Sequence, residues 1–198
     1  RPVSSAASDV YKRQNQRNSV GDKFKIIISV GDESGIGPEI ILKALYSKEI
    51  PNNLDFIIVG SKNNLENTYS NLKSLGVENI VDPNNYQIYD IEIPFEINQQ
   101  KKSNGNASFL YLKKAIEIVQ KYTNAALVTG PICKKSWALA GHNYSGQTEL
   151  LAECCQVNNV GMLFTAKSPI TDWRFNTLLA TTHICLLYTS DAADETGR

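Results

Sequence analysis

Phe24-Lys-Ile-Ile-Ile-Ser-Val-Gly-Asp-Glu-Ser-Gly-Ile-Gly-Pro-Glu39 decides the fold. Its first half, Phe24 to Val30, is a continuous apolar run of strand length and carries no period-two alternation. Its second half is a glycine-rich turn that ends in Pro38, a residue favoured where a helix begins. Ile40, Ile41, Ala44 and Leu45 then recur at helical spacing. A strand that is apolar throughout is buried on both faces, which requires helices above and below a largely parallel sheet.

The same grammar repeats outward from this segment. Leu54 to Val59 is a second buried strand closed by Gly60, and Ser61 is placed to cap a helix carrying Leu65, Leu72 and Leu75 to a stop at Gly76. A less regular apolar stretch runs from Tyr86 to Ile93. Pro94 to Gly105, rich in Asn, Gln, Lys and Ser, reads as a surface connection. Ala107 to Tyr122 reads as an amphipathic helix with Leu110, Ile116 and Val119 on one face. Ala125 to Val128 is another buried strand, ending in Gly130-Pro131, and Leu150 to Cys155 is an apolar helix. Val160 to Phe164 and Thr177 to Thr182 complete the strand candidates.

Ligands of such sheets collect beyond the carboxyl ends of the strands, which nominates three turns: Gly31 to Glu39, Thr129 to Lys134 and Thr181 to His183. The first is not the GxGxxG nucleotide fingerprint. Its glycines either make a tight turn or let backbone N–H groups approach an anion, and Asp32 either caps the turn or orients a substrate or metal. Lys134 is either a cationic handle for a phosphate or carboxylate or a solvated lysine. Gly146-Gln147-Thr148-Glu149 is a helix entry in which Thr148 or Gln147 satisfies free N–H groups, or a substrate contact. His183 ends a strand where an imidazole would point into the crevice; apart from Cys185, in a segment set aside below, it has no His or Cys partner nearby in the sequence.

Composition excludes several classes. The chain holds 20 basic and 20 acidic residues, with no basic stripe and no nucleic-acid motif, so a nucleic-acid partner is not expected. No apolar run approaches the roughly 18 residues of a membrane span, and a cytoplasmic location is expected. The segments Ser4–Gln14 (SSAASDVYKRQ) and Cys185–Glu195 (CLLYTSDAADE) read as translations of the two complementary strands of one sequencing-adaptor oligonucleotide. Residues 1–14 and 185–198 are therefore expected to be artefactual, and 15–184 to be the authentic part of a longer protein. That part retains Cys133, Cys154 and Cys155, an odd number with no CxxC pair, so neither a disulfide framework nor a zinc finger is indicated. One domain or an incomplete pair is expected.

Taken in order, G-D-x-x-G-I-G-P-E-I, L-V-T-G-P-I-x-K, A-G-x-x-Y-x-G-x-T-E-x-L-A and A-T-T-H resemble the amino-terminal half of the 4-hydroxythreonine-4-phosphate dehydrogenase family from Lys25 to Ile184. The first motif is shared with isopropylmalate and isocitrate dehydrogenases; the later three separate the families. The resemblance implies an α/β/α sandwich of the isopropylmalate-dehydrogenase kind, truncated here, in a two-domain subunit that forms homodimers. It implies NAD or NADP, and a divalent metal (Zn, Mg or Co) held by three histidines, of which His183 matches the first. Gln147 and Thr148 align with a histidine and threonine that contact substrate. Glutamine in that place hydrogen-bonds but cannot act as a base, Cys133 replaces a polar Asn or His, and no catalytic residue is assigned; His142 is a candidate substitute or an exposed loop histidine.

The implied reaction is oxidation of 4-phosphooxy-L-threonine to a β-keto acid that decarboxylates to 3-amino-2-oxopropyl phosphate, on the route to pyridoxine 5'-phosphate. A dication would lower the pKa of the substrate hydroxyl while hydride leaves to the nicotinamide. The alternatives are a paralogue for threonate or erythronate 4-phosphate and a non-catalytic homologue. The fragment itself is expected to be inactive.

Overall fold

A computed structural model describes residues 23–93 and 99–179 of the 198. The chain divides into two compact units, 1–143 and 144–198.

The first unit is built on the segment that opens the sequence. Strand β1 (Phe24–Ser29) leads through the glycine-rich turn into helix α1 (Gly37–Ala44), then strand β2 (Leu54–Gly60), helix α2 (Lys62–Ser74), a short 3-10 turn at Pro83–Asn85, strand β3 (Gln87–Asp90), helix α3 (Gln100–Val119), strand β4 (Ala125–Thr129) and the short helix α4 (Lys134–Leu139). The four strands are all parallel, in the order β3-β2-β1-β4, with Ile27 opposite both Ile57 and Leu127. This is the expected α/β class with a parallel sheet. Right-handed crossovers put α1 and α2 on one face, and α3, whose connection returns past β1 to β4, on the other.

Ile27, Ile57, Ile58, Val59, Leu42 and Leu65 are fully or almost fully withdrawn from solvent in the middle of this packing. Burying such a side chain is worth about 1.5–3 kcal/mol. Ser61 caps α2 as expected, its Oγ accepting from the Asn64 N–H at 3.2 Å. Leu75, expected on the buried face of that helix, is instead its C-cap and 78% exposed.

Helix α3 departs most from the sequence reading. It begins at Gln100, inside the stretch expected to be a surface connection, and Asn104 and Gly105 are buried. The cause is tertiary: α4 lies so close to α3 at Gly105 that a Cβ there would overlap the Ser136 carbonyl. The helix therefore buries two stripes. Ala107, Tyr111, Ala115 and Ile118 join the sheet core, while Phe109 packs edge-on against the fully buried Trp137 of α4, whose indole N–H donates to Ser108 Oγ at 2.8 Å. Leu110, expected on the apolar face, is only half-buried.

The second unit contains helix α5 (Gln147–Cys154) and strands β5 (Leu163–Lys167) and β6 (Arg174–Leu178). The strand candidates at 160–164 and 177–182 are thus shifted. They form a separate antiparallel pair with Ala166 opposite Phe175, because the short connection from 168 to 173 can close a hairpin but cannot carry a parallel crossover. Among the described residues no helix is long and apolar enough to cross a membrane.

Candidate active-site crevice at the β1 and β4 turns

In an open parallel sheet the ligand crevice lies where the strand order reverses. Here β1 leads to β2 on one side and is flanked by β4 on the other, so the reversal falls between β1 and β4. The two turns that follow these strands are the ones nominated from sequence, Gly31 to Glu39 and Thr129 to Lys134. The structure brings them into direct backbone contact. The Asp32 N–H donates to the Pro131 carbonyl at 2.8 Å, and the Gly130 N–H donates to the Ser29 carbonyl at 2.7 Å.

Glycine is required at this junction for steric reasons. A Cβ on Gly130 would lie under 3.0 Å from the Val30 and Ser29 carbonyl oxygens, and a Cβ on Gly31 would overlap the Pro131 carbonyl. Gly31 also has φ +78°, in the left-handed region that other residues enter at a cost. Ile36, at the N-cap of α1, supplies no capping side chain, so the first N–H groups of that helix are left for solvent or a ligand.

The side chains around the junction divide into fixed and available groups. Asp32 Oδ1 accepts from the Ser34 N–H at 3.0 Å and from Ser34 Oγ at 2.8 Å, which is the turn-capping role. Glu33 reaches the other way, accepting from the Tyr111 hydroxyl at 2.7 Å. Burial raises the Glu33 carboxyl above its ordinary range, partly offset by that bond, and burial with the same bond raises Tyr111. Lys134, the first residue of α4, is exposed and forms no ion pair among the described residues. Cys133 is the N-cap of α4, and hydrogen bonding from the Ser136 hydroxyl and backbone N–H groups holds its thiol below the ordinary value.

His142 is neither exposed nor idle. Its ring stacks on Phe109 with centroids 3.6 Å apart and planes 8° from parallel, and Nε2 lies 3.0 Å from Asn106 Oδ1. Burial, with Lys113 as a lesser cause, lowers its pKa. Those contacts occupy the ring within the first unit and correct the expectation of an exposed loop histidine.

In the second unit Gln147 and Thr148 are the first two residues of α5, both half-buried. The N-cap is Gly146, with extended backbone and no side chain, so neither Gln147 nor Thr148 holds the capping position. Tyr144 and Glu153 clip this helix to the segment before it through a 3.0 Å hydrogen bond.

With the geometry in view, the similarities to known proteins become specific. The family model "Pyridoxal phosphate biosynthetic protein PdxA" matches residues 52–196. The chain belongs to the PdxA family. A 4-hydroxythreonine-4-phosphate dehydrogenase of Nostoc sp. is 43% identical over 189 residues, covering 90% of this chain and 52% of the relative. One from Synechococcus sp. is 44% identical, covering 82% and 49%. A crystal structure of 4-hydroxythreonine-4-phosphate dehydrogenase from Klebsiella pneumoniae superposes with a TM-score of 0.64 at 26% identity, over 87% of this chain and 54% of that one. The Burkholderia phymatum structure of the same description, at 24% identity and TM-score 0.63, shares the fold. The chain spans about half the length of the curated PdxA relatives it matches.

Metal-ligand capacity in this PdxA-family chain does not arise from the described residues: among them, no group of three or more His, Cys, Asp or Glu could hold an ion. His183, with its turn Thr181 to His183, lies outside the described residues. What sequence reasoning missed is the pairing of Glu33 with Tyr111, 78 positions apart. Only the return of α3 across the sheet unites them, and no local signal announces that.

Proposed function

We propose that the chain is part of a nicotinamide-linked dehydrogenase that oxidises the secondary hydroxyl of 4-phosphooxy-L-threonine in pyridoxine 5'-phosphate synthesis, using NAD or NADP and a divalent metal. The observation that carries this reading is the backbone-to-backbone union of the Gly31 and Gly130 turns at the strand-order reversal, in a PdxA-family chain. In this reading the junction is a rigid floor beside which the uncapped first N–H groups of α1 and Lys134 receive the anionic parts of substrate or cofactor. Asp32 keeps that floor in shape through Ser34. The family resemblance further assigns substrate hydrogen bonds to Gln147 and Thr148 and one of the metal's ligand positions to His183. The remaining ligands belong to the part of the PdxA relatives that this chain does not match, so the chain alone is expected to be inactive. A homodimer in the cytoplasm is part of the same reading, as is the exclusion of residues 1–14 and 185–198 from the enzyme proper.

A second reading keeps the chemistry and changes the substrate to threonate or erythronate 4-phosphate. It is favoured by Gln147, which hydrogen-bonds but takes no proton. The test is steady-state kinetics of the uninterrupted gene product with both substrates. A kcat/KM at least about tenfold higher for 4-phosphooxy-threonine supports the first reading, and the reverse preference supports the second.

A further inference from the structure

Both turns of the crevice are anchored on one helix, α3. In the β1 turn Ser34, Gly35 and Ile36 are exposed, and the half-buried residue before them ties the turn to the rest of the unit. The Glu33 carboxylate accepts from the Tyr111 hydroxyl at 2.7 Å, and its backbone carbonyl accepts from Asn64 Nδ2 at 3.2 Å. Tyr111 is 1% exposed, its ring packed in the sheet core with Ala107 and Ala115, so the hydroxyl is a fixed point. One turn earlier on the same face of α3, Ser108 Oγ accepts from the Trp137 indole at 2.8 Å. Trp137 is the buried residue of α4, the helix whose first residue is Lys134.

Helix α3 therefore sets the spacing between the β1 turn and α4 through two side chains three positions apart. The two anchors differ in kind. Trp137 is held by packing as well as by its hydrogen bond, since Phe109 lies edge-on against it. The exposed part of the β1 turn has no such packing, and the bond from Tyr111 reaches it through a single carboxylate. Without the hydroxyl, the half-buried Glu33 carboxyl loses a charge-assisted partner and gains by turning out to water, which frees the turn. We propose that Glu33 and Tyr111 are positioning residues for substrate binding, their hydrogen bond holding the β1 turn and the start of α1 at the spacing from Lys134 that an anionic ligand requires. Their role rests on the crevice receiving an anion, as in the proposed function.

The test is steady-state kinetics of the uninterrupted gene product and its variants, on whichever of 4-phosphooxy-threonine and threonate 4-phosphate the parent oxidises. Tyr111→Phe and Glu33→Leu are each expected to raise KM about tenfold with kcat within about twofold of the parent, as when binding and not chemistry is lost. The two together are expected to be no worse than either alone, because both remove the same bond. Glu33→Gln keeps an acceptor for the hydroxyl and is expected to stay within about twofold of the parent KM. A bond serving stability alone would lower the urea midpoint and leave KM unmoved. KM unmoved in Tyr111→Phe and Glu33→Leu, or Glu33→Gln as impaired as Glu33→Leu, overturns the proposal. A parent that oxidises neither substrate counts against the dehydrogenase reading, and the clamp is then tested by calorimetric titration of the same gene product with inorganic phosphate. Tyr111→Phe is expected to weaken phosphate about tenfold; phosphate bound equally by both proteins, or by neither, overturns the proposal.

Discussion

Adding one methyl group at Gly130 tests whether the union of the two turns is a structural necessity. An alanine Cβ there meets Val30 C at 2.6 Å and Ser29 O at 2.7 Å, with the Val30 carbonyl oxygen nearer still, against the 3.4 Å at which ordinary contact begins. All three are backbone atoms at the buried carboxyl end of β1, Ser29 and the Val30 that follows it, so relief requires moving the β4 turn on the order of 1 Å, an overpacking cost of about 1–3 kcal/mol. That movement breaks the Gly130-to-Ser29 and Asp32-to-Pro131 hydrogen bonds, each worth about 1 kcal/mol net. Gly130→Ala is thus expected to destabilise by about 3–5 kcal/mol, a large part of the roughly 5–15 kcal/mol available to a domain. Urea unfolding followed by circular dichroism measures it. Gly76→Ala is the control: φ is +78° but nothing lies within 4 Å of the added Cβ, so only the conformational cost of about 1–2 kcal/mol applies. A Gly130→Ala penalty no larger than that of Gly76→Ala would refute the reasoning.

Three further expectations follow from individual side chains. Burial holds the Glu33 carboxyl above its ordinary value, so its contribution to stability is present below the unfolded pKa and lost as pH rises through the folded one; Glu33→Gln should raise the urea midpoint at pH 7 relative to the parent, with the gap closing near pH 4. His142 is shifted the other way, so its contribution is present above the unfolded value and lost as pH falls through the folded one. His142→Phe, which keeps a ring on Phe109, should flatten the stability profile on the acid side of neutrality, and an unchanged profile would remove His142 from the account. In the uninterrupted enzyme, Gln147→His should raise kcat by about 10²–10⁴-fold if a general base is what this position lacks; steady-state rates on 4-phosphooxy-threonine check it, and no gain would favour a non-catalytic homologue.

The sheet and its crevice were legible because they rest on short-range signals. FKIIISV, LDFIIV and AALV declare buried strands by continuity of apolar residues, and the glycine-proline turns that follow them mark where a ligand crevice belongs. The Ser61 cap was equally local. The errors arose where distant contacts override composition. Gln100 to Gly105 is polar enough to read as a connection, yet Gly105 is helical because α4 presses on it from more than thirty residues away. His142 sits beside a loop in sequence, yet Phe109 and Asn106 of α3 claim its ring.

The most direct test of the central claim, that this PdxA-family crevice serves a metal-dependent dehydrogenase, is formation of reduced nicotinamide by the uninterrupted gene product with 4-phosphooxy-threonine, before and after chelation. The account predicts turnover that chelation abolishes, added Zn²⁺, Mg²⁺ or Co²⁺ restores, and His183→Ala eliminates. Turnover indifferent to both chelation and His183→Ala, or none with either nicotinamide and any of the three metals, would contradict it.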